Sequence, residues 1–503
     1  MTPTLPEIRR LRRWSGPLLG VLAILGLLTD LGGLVLRQWD EARVAVNALE
    51  MAQSGNWLVA TFDFEPDLWN TKPPLMLWLQ AALIRMLGPT EWAVRLPAAL
   101  ATLASIGLVY KFMAGFLRSP LGGLLAGTVL VSTLGFLGEH HGRTGDYDAL
   151  LTLAQLVTGL SVLLLLETKN SRWWAGVAAG LIVATLTKGV AVLLPLPGMA
   201  LYCLTRPNGR RLLRAPGFWL MLLAWMAVGV GWYVLRESQA PGYWAAVSAN
   251  ELGGRFGNAV ENHRETWYYY IVRMATAKFL PWLYVLPLVV PFAVRHPDAC
   301  ARRVAWFALS WALGLLLLLT VAKTRVEWYA APAYPWLAIL AGLGAPRLGT
   351  WLLSRIPAAA PRLCLRVLLS AFLLVPPLMT VRHVLSAGQH DKLATLRIGY
   401  GLRALRREVE PPAPLAVVAE SGFYEAERPV NGGGKAGYNA SLRFYMEAYP
   451  RPVRVVAPAA LASLRGFDYI LTATAVDSAL VRAAFPRASC RAVGRFTCWL
   501  WIL

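Results

Sequence analysis

Charge is scarce in this chain. Of 503 residues only 15% are Asp, Glu, Lys or Arg, while 56% are hydrophobic, and mean hydropathy is +0.48. A water-soluble protein of this length needs more charge to cover its surface. A soluble globular class is therefore excluded and a polytopic membrane protein expected. Acidic residues are scarcer still, with 28 Asp and Glu against 49 Lys and Arg, for a formal net charge of +21. No basic tract carries the aromatic pattern of a nucleic-acid module, so nucleic acid is excluded as a partner. The cations lie between apolar runs, which suits cytoplasmic loops, anionic membrane lipids and anionic lipid-linked substrates. Cysteine is also rare: the five present have no metal-ligand spacing.

What the chain has is apolar runs. Arg9, Arg10, Arg12 and Arg13 precede the run Pro17–Leu36. This predicts a retained first helix with a cytoplasmic N-terminus. Further spans are expected at about 92–115, 121–138, 148–166, 172–187, 189–205, 215–235, 270–293, 303–322, 330–345 and 362–385. With a marginal segment at 346–357, the total is roughly eleven to thirteen. From about 391 the composition changes. The β-branched runs Leu415–Ala419, Val453–Val456 and Phe467–Thr472 alternate with helical stretches such as Ala440–Glu447. This predicts a small α/β domain over 391–503, following a membrane domain over 1–390. Cys490 and Cys498 flank Val493-Gly494-Arg495 symmetrically. A hairpin with a three-residue loop there would place them opposite and allow a disulfide if the domain lies outside.

The stretch from Asp40 to Pro74 draws attention. It follows the first apolar run and opens with Asp40-Glu41; Lys72-Pro73-Pro74 comes some thirty residues later, with Trp57, Phe62, Phe64 and Trp69 between. A carboxylate and a lysine at a membrane lip suit an acidic lipid head group and a nucleophile that attacks it. The same pattern also fits a surface loop with a solvated charge pair. Ala42–Ser54 has the spacing of an amphipathic helix lying along the interface, and Pro73–Leu87 of a second. A second acidic segment, Arg143-Thr-Gly-Asp146-Tyr-Asp148, precedes a span. Asp148 there fits a helix cap as well as a functional carboxylate. Lys188 lies between two apolar runs and fits a topological anchor. Lys323 and Arg325 fit interfacial anchors, with Trp328 and Tyr329 in the aromatic belt. His140, His141 and His263 could meet Glu41 or Glu139 at a metal, but adjacent histidines share one tetrahedral site poorly. The glycine-rich 431–439 lacks the P-loop order and reads as a loop.

The run DEARVAVNALEMAQSGNW, then NTKPPLMLWLQAALIRMLG, then EWAVRLPAAL resembles the N-terminal signature of the superfamily of bacterial aminoarabinose transferases and protein O-mannosyltransferases. That resemblance implies the GT-C fold: an α-helical membrane protein using polyprenyl-phosphate-linked sugars, with inversion at the anomeric carbon. It implies catalytic carboxylates at Asp40, with Glu41 beside it, and at Asp148, with Asp146 as the alternative. It implies donor-phosphate contacts at Lys72, Arg255 and Tyr329, and at Lys188, whose Lys-Gly-Val resembles the family's Lys-Gly-Pro. Arg143, His263, Lys323 and Arg325 are secondary candidates. It implies no definite cofactor: some GT-C enzymes need a divalent ion, and the carboxylates here could hold one. Two departures stand out: the aminoarabinose transferases carry Glu where this chain has Thr71, and Tyr where it has Val44.

The expected activity is transfer of a sugar from a polyprenyl-phosphate donor to a lipid A, glycan or protein acceptor. The expected place is the outer face of a bacterial inner membrane, with the C-terminal domain periplasmic. The alternative is a lipid-linked-sugar flippase. Such transporters usually carry inverted repeats, and none is evident.

Overall fold

The computed structural model describes the chain except for residues 1–4, 39, 255–264, 356–370, 372–373, 385, 387–393, 419–438, 458–460, 462–463, 465–466 and 495–497. These residues pack as two compact units. The first comprises 1–31, 71–76 and 95–386, and the second 32–70, 77–94 and 387–503. The Asp40 stretch, 40–70, groups with the C-terminal residues.

The first unit is helical. Six helices among the described residues are long and apolar enough to cross a membrane: Glu91–Phe116, Asp148–Thr168, Trp173–Leu193, Pro216–Gln239, Ala299–Val321 and Glu327–Arg355. A seventh is the pair Tyr269–Lys278 and Trp282–Val294, if counted as one span bent by 107°. Fewer spans are found than expected, for local reasons. The 121–138 run breaks into Pro120–Val131 and the short Leu134–Leu137. The 189–205 run splits into a 3-10 turn, Gly189–Leu193, and the nine-residue Leu196–Leu204, with Pro195 between. The marginal 346–357 segment largely continues the helix Tyr334–Arg355 through Pro346. Half of 362–385 falls outside the described residues.

Aromatic side chains fill this unit's core. Trp336 lies 5.0 Å from Trp311 and 5.3 Å from Phe307 between ring centroids. A methyl group at Gly159 would come within 2.4 Å of Trp336. At one crossing only glycine fits, because a Cβ on Gly198 would stand 2.3 Å from the Ser310 carbonyl oxygen and 3.1 Å from the Gly314 Cα. Close approach through small residues is how membrane helices gain packing energy when water supplies no drive.

The second unit holds the sheet. Its strands are β3 (Leu415–Val418), β4 (Val453–Val456), β5 (Tyr469–Thr472), β6 (Ser489–Val493) and β7 (Cys498–Ile502), after a two-residue pairing of β1 (Thr61–Phe62) with β2 (Glu65–Pro66). The order is β4-β3-β5-β7-β6, parallel across β4-β3-β5 and antiparallel from β5 onward. β3 is buried at all four positions, as a central strand covered on both faces must be. The expected α/β region is therefore present, with Val453–Val456 and Ala440–Glu447 at the expected bounds.

The expected disulfide is corrected by the register. Cys490 stands opposite Trp501 and Cys498 opposite Val493, so the turn centres later than the symmetric reading required. Cys490 is three residues from the partner of Cys498, and side chains alternate faces with a period of two. Cys490 is accordingly exposed, Cys498 is buried, and both are free thiols.

The 32–94 segments join this unit through polar contacts. Arg403 donates to the carbonyls of Gly32 and Gly33 and to Glu91, and Tyr445 donates to Glu91 at 2.7 Å and accepts from the Leu36 N–H. The helix Asp40–Ser54 is buried along 41–52. A helix stands where 42–54 was expected to form one along the interface, and its polar residues Arg43, Asn47 and Glu50 bond to the loop that follows.

Candidate functional site

The first unit contains a cavity of about 60 Å³. Its polar lining includes Asp148, Lys188 and Tyr329, beside Gln155, Glu251 and Thr324. Asp148 opens the helix Asp148–Thr168, and Lys188 closes the helix Trp173–Lys188. Tyr329 lies in the 3-10 turn Glu327–Ala333. Leu151, Leu194 and Leu319 make the cavity apolar elsewhere.

Both Asp148 oxygens accept from Lys188 Nζ at 2.7 Å. The carboxylate thus serves the ammonium rather than the helix cap, which falls at Tyr147 without a side-chain bond. Lys188 Nζ also lies 4.9 Å from the centre of the Tyr329 ring, an attractive arrangement for a cation. Gly189 makes the turn after Lys188 feasible: its φ is +53°, and a Cβ there would stand 2.5 Å from Tyr233 Oη. The sequence left Lys188 open between a topological anchor and a phosphate contact, and Asp148 between a helix cap and a catalytic carboxylate. The fold joins residues forty positions apart into one ion pair at the cavity wall.

Lys72, in the Pro-Pro segment, pairs with Glu251, which also lines the cavity. Glu251 Oε1 accepts from the Thr71 hydroxyl at 2.9 Å as well, and Tyr243 fixes the strand by donating to the Thr71 carbonyl at 2.9 Å. Glu251 was missed from the sequence, where it sits in an undistinguished polar stretch.

The loop before Asp148 is polar and well held. Asp146 accepts from Thr144 at 2.6 Å and faces His140 Nδ1 at 3.5 Å, while His140 stacks on Trp328 at 3.9 Å. Burial pushes the Asp146 carboxyl up, but the hydrogen bond and charge of His140, the Thr144 hydroxyl and Lys188 together hold it below the usual carboxylate value. Burial pushes His141 down to about 3, so it is neutral between Thr102 and Thr152. Arg143 ties down the end of the first helix by donating to the carbonyls of Gly26, Leu27 and Asp30. That is a structural duty.

In the second unit Asp40 is the half-buried first residue of its helix, and Glu41 turns back to accept from the Arg37 N–H at 2.7 Å. Sequence reasoning passed over Arg43 and Asp67. Arg43 grips Asp67 with two bonds, at 2.9 and 2.8 Å, and lies over the Phe62 ring at 3.7 Å. An arginine three residues after Asp40, followed by aromatics and two more Asp, was the available signal.

Of the remaining candidates, Arg325 donates to the Thr320 carbonyl and Lys323 is exposed. Arg255 and His263 lie outside the described residues. Among the described residues no three His, Cys, Asp or Glu side chains gather to hold a metal ion.

Comparison with known proteins bears on this geometry. Residues 71–233 match the family described as dolichyl-phosphate-mannose-protein mannosyltransferase. An undecaprenyl phosphate-alpha-4-amino-4-deoxy-L-arabinose arabinosyl transferase of Edwardsiella ictaluri is 28% identical over 331 residues, 64% of this chain and 58% of the relative. Its namesake from Shewanella sediminis is 28% identical over 61% of this chain and 55% of the relative. The matched region thus spans little more than half of those relatives' lengths. In fold, the crystal structure of ArnT from Cupriavidus metallidurans bound to undecaprenyl phosphate superposes with a TM-score of 0.67 at 18% identity, covering 96% of this chain and 97% of that one. An Archaeoglobus fulgidus oligosaccharyltransferase gives 0.53 at 9% identity, covering 92% and 69%. The chain therefore has the GT-C fold, and the expected resemblance to aminoarabinose and mannosyl transferases is borne out.

Proposed function

We propose that this chain is an inverting glycosyltransferase that moves a sugar from a polyprenyl-phosphate-linked donor to an acceptor in the bacterial envelope: lipid A, another glycan or a protein. The observation that carries the reading is the cavity in the first unit. Leu151, Leu194, Leu315 and Leu319 give it apolar lining, as a prenyl chain requires, and it presents Lys188, Asp148 and Tyr329 together. The likeness of the fold to a protein crystallised with undecaprenyl phosphate supports the same ligand class here.

In this reading Lys72 and Tyr329, with Arg255, receive the phosphate as the bond to the sugar breaks. Charge grows on the leaving oxygen in the transition state, and fixed cations stabilise it more than they stabilise the ground state. Lys188 is held by Asp148 and acts as a second positive charge at the cavity wall. Asp40 orients the acceptor and takes its proton where the acceptor is a hydroxyl. A phosphate acceptor has no proton to lose and needs only the orientation. The reaction would occur on the outer face of the inner membrane, with the N-terminus cytoplasmic and the C-terminal region periplasmic.

The test is Asp40→Asn at matched expression. Transfer should fall by at least tenfold, toward the lower end of what one general base contributes, about 10²-fold. Unchanged transfer would remove Asp40 from the mechanism. The flippase alternative predicts no polyprenyl phosphate released from any donor.

A further inference from the structure

Lys72 is read above as the cation that meets the donor phosphate, yet in this structure its ammonium holds a carboxylate. Glu251 Oε1 bonds to Lys72 and to the Thr71 hydroxyl, and Glu251 lines the same cavity as Lys188 and Tyr329. The Lys72 and Glu251 side chains are only 15% and 11% exposed, so the pair is largely shielded from water. Glu251 belongs to the π-helical turn Ser248–Gly254, a form frequent at functional sites. A carboxylate and a phosphate are both oxyanions that accept from an ammonium and a hydroxyl. We infer that Glu251 is an internal competitor for the polyprenyl-phosphate head group at Lys72 and Thr71, displaced when the lipid binds and returning as it leaves.

The chemistry gives this competition a use. The donor is a phosphodiester with one negative charge, whereas the released lipid is a monoester carrying about −1.5 to −2 near neutral pH. A bare lysine would therefore hold the product more tightly than the substrate, and product release would limit turnover. A carboxylate waiting beside the lysine lowers affinity for both forms and offsets that bias. Thr71 makes the arrangement possible. Its hydroxyl donates to Glu251, and the carboxylate beside Lys72 comes from 179 positions away.

This inference rests on the reading of Lys72 as a phosphate contact, and the experiment separates the two. Full-length protein in nanodiscs is titrated with undecaprenyl phosphate at low salt, with thermal unfolding of each variant in parallel. Glu251→Gln keeps the shape and removes the charge, and should bind roughly three- to tenfold tighter. Introduced into Lys72→Met, the same change should have little further effect. Equal or weaker binding by a folded Glu251→Gln protein would overturn the inference. Lys72→Met binding as well as wild type would instead overturn the role of Lys72. Should Glu251→Gln not fold, Glu251→Asp draws the carboxylate back from Lys72 and Thr71 by one methylene and leaves both donors to the phosphate in place. It should then tighten binding to a smaller degree, and weaker or unchanged binding would count against competition.

Discussion

Asp67 in the second unit and Asp148 in the first are both buried carboxylates held by a cation, and they differ in what else surrounds them. Asp67 accepts five hydrogen bonds: two from Arg43, one from Asn47 and two from the backbone N–H groups of Trp69 and Asn70. Phe62 and Trp69 cover the guanidinium. All five of these donors belong to the chain itself. Asp148 accepts twice from one flexible lysine and borders a cavity. A carboxylate can accept at about four lone-pair positions, so this one retains capacity toward the cavity. Packing that uses every polar atom signals structure, and an ion pair set against open space signals chemistry.

Breaking each pair should separate these roles. The largest effect on stability belongs to Arg43→Met, which leaves Asp67 buried and uncompensated at a cost of about 3–5 kcal/mol. Thermal unfolding and the yield of folded protein should drop together with activity. Asp148→Asn should do the reverse. Transfer should fall by about 10²-fold or more, as when one preorganised electrostatic group is lost, while unfolding shifts less than for Arg43→Met. If Asp148→Asn unfolds the protein and Arg43→Met does not, the comparison is inverted.

The second unit also carries a titrating group. Burial raises the Glu447 carboxyl to about 7, and the nearby Glu50 carboxylate adds to this against the opposing pull of Arg443. A carboxyl whose folded value lies above its unfolded value binds more protons when folded, so this unit should lose stability as pH rises from about 4.5 through 7 and be more stable below that window. The change is of the order of a few kcal/mol at most. Glu447→Gln should flatten it, which pH-dependent unfolding would read. The smallest expected effect is at the cavity's edge. Gly189→Ala forces a side chain into φ +53° against Tyr233, at about 1–2 kcal/mol. It should lower activity through Lys188 more than it lowers the unfolding temperature.

Much of this was legible in the sequence. The β-branched runs of the C-terminal region gave strands because a covered strand must be apolar on both faces. The signature around Asp40 and Lys-Pro-Pro pointed to the fold. Pairings were not legible. Asp148 and Lys188 are ends of two different helices, and nothing local to either says they meet. Glu251 is one glutamate in a polar segment, marked only by what it touches. The burial of Asp40–Ser54 was concealed because Arg43, Asn47 and Glu50 look like a solvated face until Asp67, Asn70 and the loop are folded over them. The cysteine register failed because three residues of turn were assumed where the strands pair differently.

The most direct measurement is a product balance. Purified protein in nanodiscs is given a polyprenyl-phosphate sugar and envelope extract as acceptor, and free polyprenyl phosphate is quantified beside new glycan. The account predicts one-for-one formation of the two, dependent on acceptor and largely lost in Asp148→Asn. A lipid-linked sugar that crosses the bilayer intact, with no phosphate released, would contradict it.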